Sequence, residues 1–143
     1  MLTAAAVVVC ALDLLGRSPA STVPIRLLDA PPIGASRNVE GFITRNPDTI
    51  YLITSTETFQ AARRGYGEPG ARNACRHIAS VIVHEEWHLR HGGDEQGAYL
   101  AQLTMLAALG ADSGSMATVR KSMLFVLDRQ KERGQPALTM AQR

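Results

Sequence analysis

Ser80-Val81-Ile82-Val83-His84-Glu85-Glu86-Trp87-His88-Leu89-Arg90-His91 is the stretch on which the reading of this chain turns. It contains the pattern His84-Glu85-x-x-His88. On an α-helix, residues i and i+4 lie one above the other, so this spacing puts two imidazoles where they can hold one metal ion. Glu85, beside the first histidine, can reach water on that ion without being a ligand, which suits a general base. Ala79, Val81, Ile82 and Val83 run directly into the pattern, so the helix reads as mostly buried. Two imidazoles and a carboxylate in such a place need partners, because burying polar groups without them is costly. From this chain's own histidine and glutamate content, a chance match is on the order of half a per cent. The pattern therefore outweighs the bland alternative, a solvated helix turn with these residues in this order. Glu86 and Arg90 are charged and can face solvent on a half-exposed helix.

Two histidines make only part of a site. A catalytic zinc usually has three protein ligands and leaves one position for water. After His88 the chain reads Leu89-Arg90-His91-Gly92-Gly93-Asp94-Glu95-Gln96-Gly97-Ala98-Tyr99. Gly92-Gly93 is a helix stop, since glycine accepts the left-handed conformation that a C-terminus wants. Asp94 is then an N-cap candidate for a second helix that begins near Glu95. A tight reversal brings the first turn of that helix back over the last turn of the first, so Glu95 is the expected third ligand. Asp94 is the competing choice. His91 shares the stripe of His84 and His88, but three ligands on one straight helix converge poorly on a tetrahedral ion, and it reads as a cleft-rim residue.

With these residues in view, the chain resembles the gluzincin type of zincin metallopeptidase, in which H-E-x-x-H is followed by a glutamate at the start of another helix. The short chain is similar to the minimal members called minigluzincins, and the likeness covers roughly residues 77–109. It implies His84, His88 and Glu95 as ligands of Zn²⁺, and Glu85 as base and acid. It also implies a peptide or protein substrate and a small sheet whose edge strand can pair with extended substrate. Tyr99 stands where the thermolysin-like pattern has an aspartate. The Asp94 alternative resembles short metzincin sites instead, although His91 occupies the expected glycine position and no Met-turn follows. Tyr99, one turn beyond Glu95, points toward the same metal and is a candidate to stabilise an oxyanion. Its ordinary reading is a core tyrosine on an apolar helix face.

The remainder of the chain frames this region. Its 143 residues are 45% apolar and 20% charged, as expected for one domain, residues 1–143, with a real core. The net charge of +2 and the few aromatic residues give no nucleic-acid surface, and no stretch is long enough to span a membrane. Residues 1–16 read either as an N-terminal helix, with Val8, Leu12 and Leu15 on one face, or as a residual signal segment. Pro24 to Leu28 is a short extended piece. Val39–Thr44 and Thr49–Thr54 flank Asn46-Pro47-Asp48 and predict a hairpin closed by a type I turn. A short helix over Thr56–Arg64 precedes a glycine- and proline-rich loop through Gly70, and the motif helix is expected from Ala71 or Asn73. His77 is expected to be satisfied or exposed rather than a ligand.

Cys10 and Cys75 form either one disulfide or two buried thiols, and these features fit a cytoplasmic or a secreted protein alike. Apolar helices over Glu95–Leu109 and Met116–Arg133 follow, the latter with methionines in the core, and residues 134–143 read as a loose tail. The expected fold is α+β and zincin-like, a small antiparallel sheet on about three to five helices. The expected function is a zinc metallopeptidase. The alternative is a non-enzymatic zinc-binding or partner-binding domain that keeps the helix.

Overall fold

The computed structural model describes residues 1–35, 39–65 and 67–132, so the tail at 134–143 lies outside the described residues. The architecture is α+β. In chain order it runs α1 (Ala4–Leu14), a 3₁₀ turn (Pro19–Ser21), β1 (Ile25–Leu28), β2 (Gly41–Thr44) and β3 (Thr49–Ile53). The helices α2 (Glu57–Arg63), α3 (Pro69–His91), α4 (Glu95–Ala108) and α5 (Ser113–Glu132) follow. The residues gather into two compact units, Met1–Ile82 and Val83–Arg143, with the division inside α3. Among the described residues no helix is long and apolar enough to cross a membrane.

In the first unit, the Thr3 hydroxyl accepts from the Ala6 amide at 3.1 Å and so caps α1, and Gly16 ends the helical region with φ +69°. The buried face of α1 is Val7, Ala11 and Leu12, not the expected Val8, Leu12 and Leu15. Cys10 is joined to Cys75 of α3 by a disulfide, with Cα atoms 6.5 Å apart. The chain start is also held: the Leu2 amide donates to the Arg63 carbonyl at 2.6 Å, and Arg63 Nε donates to the Leu2 carbonyl at 3.1 Å.

The sheet has the order β1-β3-β2 and is mixed, which corrects the expectation of an antiparallel sheet. The hairpin is antiparallel, with Gly41 opposite Leu52 and Thr44 opposite Thr49. The extended piece at Ile25–Leu28 becomes a third strand, parallel to β3, with Ile25 opposite Ile50. β3 is the central strand, paired on both edges, and Thr49, Ile50, Leu52 and Ile53 are all buried, so it is covered on both faces as well. The hairpin turn is also corrected: the Asn46–Pro47 peptide is cis and Asn46 has φ +63°, so it is a cis-proline turn, an isomer that the tertiary amide makes accessible. A Cβ at Gly41 would lie 2.9 Å from the Tyr51 carbonyl oxygen and 3.2 Å from Val81 Cγ1, so the residue is small because α3 comes down on the strand there.

The Thr56 hydroxyl caps α2 through the Phe59 amide at 3.2 Å. α3 opens at Pro69, two residues before the earliest expected start. Proline is well placed in a first helical turn, where its missing N–H has no partner to lose. His77 is held by Glu40, its Nε2 lying 2.8 Å and 3.0 Å from the two carboxylate oxygens.

In the second unit, α4 packs on α5 around Leu103, Leu106 and Val119, with Tyr99, Ala111, Met116 and Met123 against them. Met116 and Met123 are partly buried against this core, on the side their helical spacing marks. Gly110, at φ +77°, ends α4, and Asp112 caps α5 by accepting from the Ser115 amide at 2.7 Å.

The disulfide has a sequence separation of 65 residues. Loop-closure entropy for that span gives an upper bound of about 4 kcal/mol. The double variant Cys10→Ser/Cys75→Ser is expected to lose about 2–4 kcal/mol in urea unfolding. A midpoint unchanged from wild type would refute a stabilising role for the bond.

Candidate metal centre

The last two turns of α3 carry His84, Glu85 and His88, all less than 10 % exposed. Glu86 is buried as well, at 8 % exposed, rather than facing solvent, whereas Arg90 is exposed. The helix stops at Gly92, whose φ of +88° is the left-handed conformation that a side chain resists. Its amide donates to the His88 carbonyl at 2.9 Å, and its own carbonyl accepts from His88 Nδ1–H at 2.8 Å. One glycine therefore ends the helix and orients an imidazole.

Asp94 is the N-cap of α4, with φ −70° and ψ 102°, and its carboxylate accepts from the Gln96 amide at 3.1 Å. That use turns it toward its own backbone. Glu95 is the acid that joins the histidines: its Oε1 lies 3.4 Å from His84 Nε2 and contacts His88 Nε2 directly. The ligand atoms of His84, His88 and Glu95 all lie within 4.8 Å of one another. His84 is held from behind, its Nδ1–H donating to Gln102 Oε1 at 2.8 Å.

Packing sets how closely the two helices approach. A Cβ at Gly97 would clash with Cζ2 and Cη2 of the Trp87 indole, so only glycine lets the first turn of α4 lie against that ring. Ala98, the next residue, is fully buried. His91 is exposed and stacks on Trp87, ring centroids 4.6 Å apart, and does not join the group. The Tyr99 ring stands edge-on to His84 at 4.6 Å and also packs against the α4–α5 core. Tyr99 is thus a wall of the His84 site.

The electrostatics follow from three lone-pair-bearing atoms meeting in a half-dry place. Burial pulls the His88 pKa down, but the bond to Glu95, the Gly92 carbonyl and the charges of Glu95 and Glu85 outweigh it, so the group is raised above 6.5. Burial pushes Glu95 up, yet the hydrogen bonds and charges of His84 and His88 bring it down to about 2. Both shifts describe one demand for positive charge, met by a proton when no metal ion is bound.

Sequence reading passed over Gln102 and the Gly92 carbonyl. Gln102 left a trace, a polar side chain seven residues after Glu95 on the face of α4 that buries Ala98 and Leu106. The carbonyl left none, because a backbone group has no letter. A scan against protein-family models and searches of curated proteins and of solved structures returned no match for the chain.

Two predictions follow from this geometry. Glu95→Ala is expected to weaken zinc binding by at least about 100-fold, beyond the loss typical of a supporting residue. Asp94→Ala is expected to cost about 1 kcal/mol of stability and to leave affinity nearly intact. Chelator-competition affinities in the reverse order would make Asp94 the ligand.

The second prediction is a pH profile. A histidine raised above 6.5 contributes its stability fully below that value and loses it as pH rises through the folded pKa. A carboxylate lowered from 4.5 to about 2 contributes fully above 4.5 and loses its share as pH falls toward 2. Metal-free protein is therefore expected to draw most from this pair between 4.5 and 6.5. Zinc, which competes with the His88 proton, is expected to bind more weakly as pH falls. Urea midpoints with chelator on both sides of that window, paired with zinc titrations, check both signs, and a profile unchanged in Glu95→Gln would contradict the assignment.

Proposed function

We propose that this chain is a zinc-dependent metallopeptidase of the zincin class, gluzincin-like in its ligand set, acting on a peptide or protein substrate. The observation that carries this reading is the convergence of His84 Nε2, His88 Nε2 and the Glu95 carboxylate within 4.8 Å. Both imidazoles are tied at Nδ1 to oxygen acceptors, so it is their Nε2 atoms that face Glu95, where a cation would take the place of a proton. Two imidazole nitrogens and one carboxylate oxygen form a donor set that suits zinc. Cys10 and Cys75 are bonded to each other, so neither closes the shell as a fourth ligand, and this favours an open site over a structural one.

Zinc, when bound, supplies Lewis acidity, polarising a scissile carbonyl and bringing the pKa of water to roughly 7. The chain's own residues do the rest. Glu85 is buried and follows His84 directly in α3, and its charge helps to hold the His88 pKa up. There it takes a proton from the attacking water and passes it to the leaving amine. Gly92 and Gln102 hold the imidazoles in orientation. Tyr99, bordering His84, is the candidate for steadying the charge that grows on the carbonyl oxygen.

Elemental analysis of purified protein is expected to find one equivalent of zinc in wild type and little in His88→Ala. Glu85→Gln is expected to keep the metal and lose peptide hydrolysis by roughly 10²-fold or more, since it removes proton transfer while preserving shape. Equal zinc in wild type and His88→Ala would sink the site. Undiminished turnover in Glu85→Gln would end its role as base.

A further inference from the structure

Gln102 is 5 % exposed and sits on α4 two turns beyond Glu95, so one helix face carries both. Its neighbours on that face are apolar: Ala98 and Leu106 are fully buried. An amide in such surroundings costs stability unless its polar atoms are bonded, and its Oε1 is bonded to His84 Nδ1 at 2.8 Å. An amide oxygen only accepts, so the imidazole nitrogen facing it must carry the hydrogen. In neutral His84 the other nitrogen, Nε2, is then the lone-pair atom, and that atom faces Glu95 at 3.4 Å.

The same α4 face presents Tyr99, whose ring stands edge-on to the imidazole. His84 is thus held both at its nitrogen and on its ring by one helix. The corresponding support of His88 is a backbone carbonyl, which substitution cannot delete. Both supports are uncharged, so Glu95 is the one carboxylate of the three-residue group.

We propose that Gln102 is a positioning residue of the metal centre, locking His84 in the tautomer whose Nε2 is open to a metal ion while adding no charge of its own. This rests on the metal reading above and goes beyond it. Gln102 is not a ligand and touches no substrate. It acts through His84 by setting the ring's orientation and hydrogen placement, the usual work of a group hydrogen-bonded behind a ligating imidazole. Its neutrality distinguishes it from a carboxylate in that place, which would pull on the Nδ1 proton and make Nε2 a stronger donor.

Two variants test the role. Gln102→Met keeps length and volume and removes the acceptor, whereas Gln102→Glu keeps an acceptor in the same shape. The first readout is the ¹⁵N shift pattern of His84 in metal-free protein, at a pH where the ring is neutral. Wild type is expected to show the Nδ1–H form, Gln102→Met a mixture of tautomers, and Gln102→Glu the Nδ1–H form again.

The second readout is zinc affinity by chelator competition. It is expected to fall about 10–100-fold in Gln102→Met and to stay at or above the wild-type level in Gln102→Glu. A fixed Nδ1–H form in Gln102→Met overturns the proposal, as does zinc binding by Gln102→Glu as weak as that by Gln102→Met. If Gln102→Met does not fold, Gln102→Glu decides by itself: loss of the Nδ1–H form there overturns the role, and its retention with undiminished zinc affinity supports it. Wild-type protein that takes up no zinc would refute the metal reading instead, and the metal-free tautomer measurement separates that failure from this one.

Discussion

Three atoms with lone pairs, His84 Nε2, His88 Nε2 and a Glu95 carboxylate oxygen, are brought together where water is scarce. The arrangement is unfavourable unless something positive stands among them. A proton satisfies it partly, which is why His88 holds its proton more tightly than an exposed imidazole and Glu95 gives its own up so readily. A divalent cation satisfies it better, because it can accept all three lone pairs at once. Much of the local structure around α3 and α4 serves to keep these atoms from relaxing apart. Gly92 reverses the chain and turns a carbonyl toward His88, Asp94 starts the second helix, and Gly97 lets that helix lie on Trp87.

The supports behind the ligands are neutral, and this shapes the chemistry. A backbone carbonyl stands behind His88 and an amide behind His84. Neither adds negative charge to the group. Negative charge is confined to Glu95 in the ligand group and to Glu85 beside it. Glu95 is thereby engaged by both histidines while Glu85 is not one of the three converging residues, the division that the proposed hydrolytic role, with Glu85 as general base, calls for.

Much of this was legible in the sequence, for reasons of range. The His84–His88 spacing, the Gly92–Gly93 stop and the Asp94 cap are local features, each decided within about one helical turn by backbone geometry that any helix shares. That Asp94 caps α4 while Glu95 reaches the histidines was legible in the same way, because a capping carboxylate is spoken for by its own backbone. The helical spacing of Met116, Val119 and Met123 likewise marked a core stripe without outside help.

What only the tertiary structure decided lies at longer range or in groups without side chains. β1 joins β3 in parallel, a pairing between backbone edges far apart in the chain that the letters of neither strand announce. Cys10 finds Cys75 across 65 residues, and the face of α1 that turns inward is Val7, Ala11 and Leu12. Glu86 is buried although its charge allowed it a place in solvent, and Tyr99 became a wall of the His84 site through packing. Gln102 and the Gly92 carbonyl acquire meaning only when folding places them behind the imidazoles. Local sequence determines which conformation each segment prefers, but hydrogen-bond partners separated by many residues exist only once the chain has closed on itself.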